Sequence, residues 1–359
     1  MKQSAEHSSL APQGGKYASG LPGVLASRFQ NAASAPCLSF DVEDWPQSVA
    51  GLHHGVTRDC RDQTLQILEL LAEGGSRATF FVLGNVARRW PSLLREIESR
   101  GHEVQLHGDD HRLLHEMTPS RFRADLFRAR QSVEDVTGRP VIGYRAPRFS
   151  IDARTPWALD VLAECGFVYD SSIFPMRVRG YGVRGLIREP HLLHLPLGGS
   201  LVEIPVTVTD IGPLTVPCGG GGYFRLLPYA MTRLLLGRSR RRGGSVVMYF
   251  HPYEVDPGGV TRHGWPGLVR LLHQRIGRRF VAPRLRRLLE DFRFGPLGEL
   301  DSVRAQLTRI EGVADASAVA TRVTSRTEPA SHFGQSSPTA AGVAYGEQSS
   351  QDGLVLPSR

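Results

Sequence analysis

An α/β protein built on parallel strands is the fold class this sequence predicts, and two observations predict it. Short apolar runs alternate with amphipathic helical stretches from about residue 36 to residue 296. That order joins parallel strands by right-handed crossovers, in a barrel or in a doubly wound sheet. In addition, one run after another releases an ionisable residue: Asp41, His107, Arg145, Asp170 and His251 each stand at the end of an apolar run. In both architectures chemistry gathers at the C-terminal strand ends, so five such ends from distant parts of the chain point to one shared site.

Taken in order, Leu38–Phe40 is the first strand. Gln63–Ala72 sets Leu65, Leu68 and Leu71 on one helical face and stops at Gly74 and Gly75. Ala78–Leu83 is a buried strand, and the helix Pro91–Arg100 carries Leu93, Leu94 and Ile97 up to Gly101. His102–Leu106 is the third strand. Thr118 caps and Pro119 opens a helix whose Phe122, Leu126, Ala129, Val133 and Val136 keep helical spacing as far as Gly138. Strands at Val141–Tyr144 and Phe167–Tyr169 flank a helix over Pro156–Glu164. From Met176 to about Arg225 the alternation lapses into Gly, Pro and short β-like runs such as Leu201–Val208. It resumes with a helix at Pro228–Leu236, the strand Ser245–Phe250 and a last helix at Arg284–Asp291. Residues 1–35 and 297–359, rich in Ser, Ala and Gly without apolar periodicity, read as disordered tails around a single domain at 36–296.

The formal charge is +8, almost all of it arginine, since Lys2 and Lys16 are the only lysines. The excess is scattered and lacks interleaved aromatics, which argues against a nucleic-acid reader. Its one dense cluster, Arg238, Arg240, Arg241 and Arg242, reads as an exposed loop suited to peripheral contact with an anionic membrane or polymer. Cys37, Cys60, Cys165 and Cys218 stand far apart with no C-x-x-C pair, so reduced thiols are expected. No apolar stretch is long enough to span a bilayer, and a cytoplasmic protein, able to touch the inner face of the membrane, is the expectation.

Three acids, Asp41, Glu43 and Asp44, crowd the end of the first strand, where buried charge demands a partner or a metal. His107 and His111 stand four apart, on one side of a helical turn, and imidazole with carboxylate is the ligand set of zinc and related divalent metals. The same spacing recurs at His111 and His115, but His115 falls in a Leu-rich segment and reads as a loop or surface residue. His191 and His194 alternate like strand positions and read as structural. Two imidazoles and one carboxylate leave coordination positions for water and a substrate oxygen. One acid of the first strand can then serve as ligand and another as base, with Arg145 holding the base ionised and His251 protonating the leaving group.

The run of motifs SFDVEDW, ATFFVLG, HEVQLHGDDH, GYRAPRFS and VMYFHP resembles the polysaccharide deacetylases of the NodB-like carbohydrate esterase family 4. VEDW with YDSSIFP, GGGYFRLLPY and FHPYEVDP is similar to the subgroup associated with exopolysaccharide and exosortase loci. The resemblance implies a distorted, incomplete (β/α) barrel of about seven strands and metal-dependent removal of N-acetyl groups from an amino-sugar polymer. It implies Asp41 as base, Arg145 as its orienting partner, His251 as acid, and His107 and His111 as metal ligands. The family's common form has two adjacent aspartates here. This chain departs from it, so the third ligand is expected to be Glu43, with Asp44 as the alternative. Zinc is the expected metal, with Co, Ni, Mn or Fe able to replace it. The backbone N–H near Arg148 would help to stabilise the oxyanion. Trp45, Arg148, Asp170, Ser171, Tyr223 and Arg225 are expected to contact substrate. The expected partner is an N-acetylated glycan. The rivals are a small cyclic amide hydrolase and a non-catalytic glycan-binding protein.

Overall fold

The structure, a computed structural model, describes residues 17–18, 20–29, 35–49, 51, 55–178, 180–258 and 275–324. It divides into residues 1–312 and residues 313–359, the latter described only over the end of the helix Asp301–Thr324. Among the described residues the twelve strands are β1 (Tyr17–Ala18), β2 (Leu25–Arg28), β3 (Cys37–Val42), β4 (Thr79–Val82), β5 (Glu103–Leu106), β6 (Gly143–Tyr144), β7 (Tyr169–Asp170), β8 (His191–His194), β9 (Ser200–Glu203), β10 (Val208–Ile211), β11 (Leu214–Pro217) and β12 (Val247–Phe250).

Ten of them form one sheet in the order β1-β2-β8-β9-β7-β6-β5-β4-β3-β12, and β10 pairs with β11 apart from it. The run from β9 to β12 is parallel throughout, which makes seven parallel strands. β8, β2 and β1 then continue past β9 in antiparallel pairing. The sheet curls into an incomplete barrel. The segment leaving β9 is bonded to the β7 side, where Ile204 N–H donates to Asp170 C=O at 2.9 Å. It then reaches β12, with Thr207 N–H on Val247 C=O at 3.0 Å and Val247 N–H on the Thr207 hydroxyl at 2.7 Å. Thr207 thus covers Val247 at the edge of β12, and Gly219 C=O accepts the Tyr249 N–H at 2.8 Å further along it.

Strands β3, β4 and β12 read as continuous apolar runs because both their faces are covered, as parallel strands require. Phe40 packs on Phe80 and Phe250 with ring centroids 5.2 and 6.1 Å away, filling the space between sheet and helices. The helix Pro119–Thr137 forms where the periodicity places it. Thr118 accepts the Arg121 N–H, Phe122, Leu126, Ala129 and Val133 are buried, and Gly138 ends it at φ +64°, a conformation that costs a glycine nothing.

Two boundaries differ from the sequence reading. The segment 1–35, expected to be a tail, contains β2, whose Ala26 and Ser27 are buried through pairing with β8; four residues are too few for periodicity to reveal. At the other end the domain runs past 296, because Leu297, Leu300 and Val303 are buried against Phe81 and Val247 at the start of the helix Asp301–Thr324. Of the expected tails, residues 1–16, 19, 30–34 and 325–359 lie outside the described residues. The basic cluster is also not a loop: Arg238, Arg240 and Arg241 belong to the helix Tyr229–Arg241, and Arg238 Nε donates to Asp210 C=O at 2.8 Å. No described helix is long and apolar enough to cross a membrane.

Candidate active site

The C-terminal ends of β3, β5, β6 and β12 deliver their polar residues to one cavity of about 400 Å³, lined among others by Asp41, Glu43, His107, His111, Arg148 and His251. Glu43 is its centre. The carboxylate lies 2.6 Å from His111 Nε2, 3.3 Å from His107 Nε2 and 3.3 Å from His251 Nε2. Burial alone would raise the Glu43 carboxyl, but the charges of His111 and His251 and the hydrogen bonds from His107 and His111 hold it well below the usual carboxylate range. His107 Nδ1 donates to Arg145 C=O at 2.8 Å, which fixes the ring with its Nε2 turned towards Glu43.

Glu43, His107 and His111 each offer one ligand atom within 4.8 Å of the others, and all three are buried. With the imidazoles deprotonated, two ring nitrogens and a carboxylate form a donor set suited to a borderline divalent metal, so the residues present fit one. The histidines do not sit on a helical turn as the spacing suggested. They stand on an irregular loop in which Gly108 has φ +87° and His111 itself has φ +63°. A non-glycine residue at positive φ is costly, and here that cost aims the His111 ring at Glu43.

Beside this cluster Asp41 Oδ1 accepts from Arg145 Nη1 at 2.7 Å, and both residues are buried. The guanidinium is fully committed. Nη1 also donates to Ser39 Oγ at 2.7 Å, Nη2 to Ser171 Oγ at 2.8 Å and Nε to Ser171 C=O at 3.0 Å, while its plane lies 4.3 Å from the Phe81 ring centroid. On the other flank His251 is raised to about 9: burial would lower it, but the Glu43 and Glu254 carboxylates outweigh that. Glu254 Oε2 accepts the His251 N–H at 3.0 Å and lies 3.4 Å from Nδ1. Gly221 makes room for this carboxylate, since a Cβ there would fall 2.0 Å from Glu254 Oε2.

Asp44 is placed elsewhere: it precedes the short helix Trp45–Ser48 and accepts the Thr57 N–H at 2.5 Å. Of the expected substrate contacts, Arg148 and Arg225 line the cavity. Trp45, Asp170 and Ser171 do not. Trp45 is buried against Tyr253, Ser171 sits behind Arg145, and Asp170 is fully buried and bonded to the Ser172 hydroxyl. Tyr223 hydrogen-bonds to Tyr181, which does line the cavity. Sequence reasoning missed Tyr181, Phe149, Tyr249 and Glu254; only Glu254 left a signal, three residues after His251 across a Pro-Tyr turn. His191, read as structural, is buried with burial pulling its imidazole down to about 4.

The site is thus a bis-imidazole–carboxylate centre beside an Asp–Arg pair, gathered at the strand ends of a curled parallel barrel. Residues 38–169 match the family model described as polysaccharide deacetylase, and residues 171–301 match a domain of unknown function, DUF3473. Over residues 38–169 the chain is therefore similar to the polysaccharide deacetylases, and the match to the second domain follows directly after it. It is 29% identical over 110 residues to a peptidoglycan deacetylase-like protein of Gibberella zeae, covering 30% of this chain and 32% of that one. It is 31% identical over 85 residues to a chitooligosaccharide deacetylase of Azorhizobium caulinodans, covering 23% and 40%. The chain therefore spans about a third to a half of the length of the curated relatives it matches. A crystal structure described as a "putative polysaccharide deacetylase" from Mycobacterium smegmatis shares the fold, with a TM-score of 0.51 at 23% identity over 82% of this chain and 96% of that one.

Proposed function

We propose that this chain is a metal-dependent N-deacetylase acting on N-acetylhexosamine units of an extracellular polysaccharide or its precursor. The observation that carries the reading is the convergence of Glu43, His107 and His111 on one point beside the Asp41–Arg145 pair, in a cavity large enough for a sugar unit. Glu43, His107 and His111 would hold a divalent ion, with zinc the metal that the donor set favours. When bound, that ion supplies Lewis-acid polarisation of the acetyl carbonyl and acidifies water.

The chain's own residues account for the proton movements. Asp41, oriented by Arg145, takes a proton from the attacking water as the new C–O bond forms. The backbone N–H near Arg148 would help to stabilise the developing oxyanion. His251, oriented by Glu254, donates a proton to the amide nitrogen as the C–N bond breaks, giving acetate and a free amine. Purified protein is expected to release acetate from chitooligosaccharides or a native exopolysaccharide, to lose this with EDTA and to regain it with zinc or cobalt. Absence of acetate from a panel of N-acetylated glycans after metal restoration would rule the activity out.

A further inference from the structure

We infer that the cleft continues past Tyr181 into a subsite for an anionic group of the glycan, so that the substrate is an acidic N-acetylated polymer. The inference rests on the deacetylase reading and adds the substrate class to it. A second cavity of about 420 Å³ is lined by Asp152, Arg154, Arg177, Gly180, Tyr181 and Arg184 among others. Tyr181 also lines the catalytic cavity, so the two hollows share a wall.

Three arginines and one carboxylate, Asp152, line it. That carboxylate is already committed, since Asp152 Oδ2 accepts from Arg154 Nη2 at 2.6 Å. Arg154 in turn holds the loop by donating to Gly180 C=O at 3.1 Å. Arg177 and Arg184 are exposed and form no ion pair among the described residues. On the catalytic side Arg148, exposed and at φ +52°, lies close enough for its charge to bear on the Tyr181 hydroxyl. Cations therefore stand on both sides of the shared tyrosine.

The backbone that carries them is well held. Val178 N–H donates to Tyr181 C=O at 3.1 Å, and the Tyr181 ring stacks on Phe149 at 6.0 Å and meets Phe174 edge-on at 5.3 Å. A Cβ on Gly182 would fall 2.0 Å from Met176 C=O, so that turn admits only glycine. Guanidinium groups carried on such a turn suit carboxylate or phosphate oxygens, whose paired acceptors match their N–H fork. An acetamido group is neutral, so hydrolysing it has no use for these charges; they address a neighbouring part of the polymer, whose binding energy can position the reacting sugar. The shared chemistry is an oxyanion, from a uronate carboxylate or a glycosyl phosphate.

The test compares chitohexaose, which is neutral, with a hyaluronan hexasaccharide, which carries carboxylates, and UDP-N-acetylglucosamine, which carries phosphate. Acetate release by the metal-loaded full chain is measured alongside calorimetric binding to its Asp41→Asn form. Arg177→Gln/Arg184→Gln is expected to weaken binding and raise KM for an acidic ligand on the order of tenfold. Kcat and all constants for chitohexaose should be unchanged, and Arg177→Lys/Arg184→Lys should restore part of the loss. Hyaluronan as the arginine-dependent ligand identifies a carboxylate, and the nucleotide sugar a phosphate. Equal handling of acidic and neutral ligands by wild-type and variant protein overturns the subsite while acetate release still upholds the deacetylase. Arginine-dependent binding without acetate from any glycan does the reverse.

Discussion

Two groups of buried carboxylates lie within this barrel, and their environments drive them to opposite states. Glu43 faces three imidazoles and is held well below the ordinary carboxylate range. Asp170 and Glu203, opposite one another in register on β7 and β9, are both fully buried and face chiefly each other. Burial raises Asp170 to about 6 and Glu203 well above its usual value, so the pair keeps a proton. The difference lies in the neighbours, since all three acids are equally dry. Cation-capable rings make Glu43 a ligand-ready anion. A second acid makes Asp170 and Glu203 a proton-holding brace, from which Ser172 reaches the Ala146 N–H and Glu203 receives the Ile173 N–H.

The largest expected effect tests the charged side of this contrast. Asp41→Asn should lower kcat by on the order of 10²–10⁴-fold while substrate binding persists, and Glu43→Gln should yield protein without stoichiometric metal by elemental analysis. Arg145→Met removes the only cation bonded to Asp41 among the described residues and leaves that buried carboxylate unpaired. A loss of about 3–5 kcal/mol in denaturant unfolding should follow. Leu300→Ala, outside both groups, should cost about 2–5 kcal/mol if the domain extends past residue 296 as described, against almost nothing for a disordered tail.

The smallest effect sharpens the neutral side. A carboxyl whose pKa is raised by folding contributes stability that is complete below its unfolded value, near 3.8, and is lost as pH rises through about 6. Relative to Asp170→Asn, wild-type stability should therefore fall between about pH 4 and 6, with a slope of at most about 1.4 kcal/mol per pH unit. A rising or flat difference in pH-dependent unfolding would assign the dyad a shared negative charge instead. Glu43 gives the opposite sign, since the stability it contributes is present above its unfolded value and lost on acidification.

Much of this was legible in the chain. Long periodic helices such as Pro119–Thr137 and strands such as Val247–Phe250 lie where apolar spacing puts them, because burying one face of a helix or both faces of a strand imposes that spacing. Less legible were elements of two to four residues, among them β2 and β10. Their pairing, rather than any local pattern, makes them strands. Glu203, lying in an ordinary-looking β run, gave no sign that it would meet Asp170, since the two are 33 positions apart and are joined only by the parallel register of β7 with β9.

By itself, the sequence determined the α/β class and the residue types that gather at strand ends, because the period of burial and the rarity of charge in strands are local properties. Only the tertiary structure decided which acid does what. Asp41, Glu43 and Asp44 are neighbours in the chain, yet one meets Arg145, one meets three imidazoles and one meets the Thr57 N–H. Electrostatic environment is set by whatever packs across the space around a group, and at a strand end each successive side chain points into a different space.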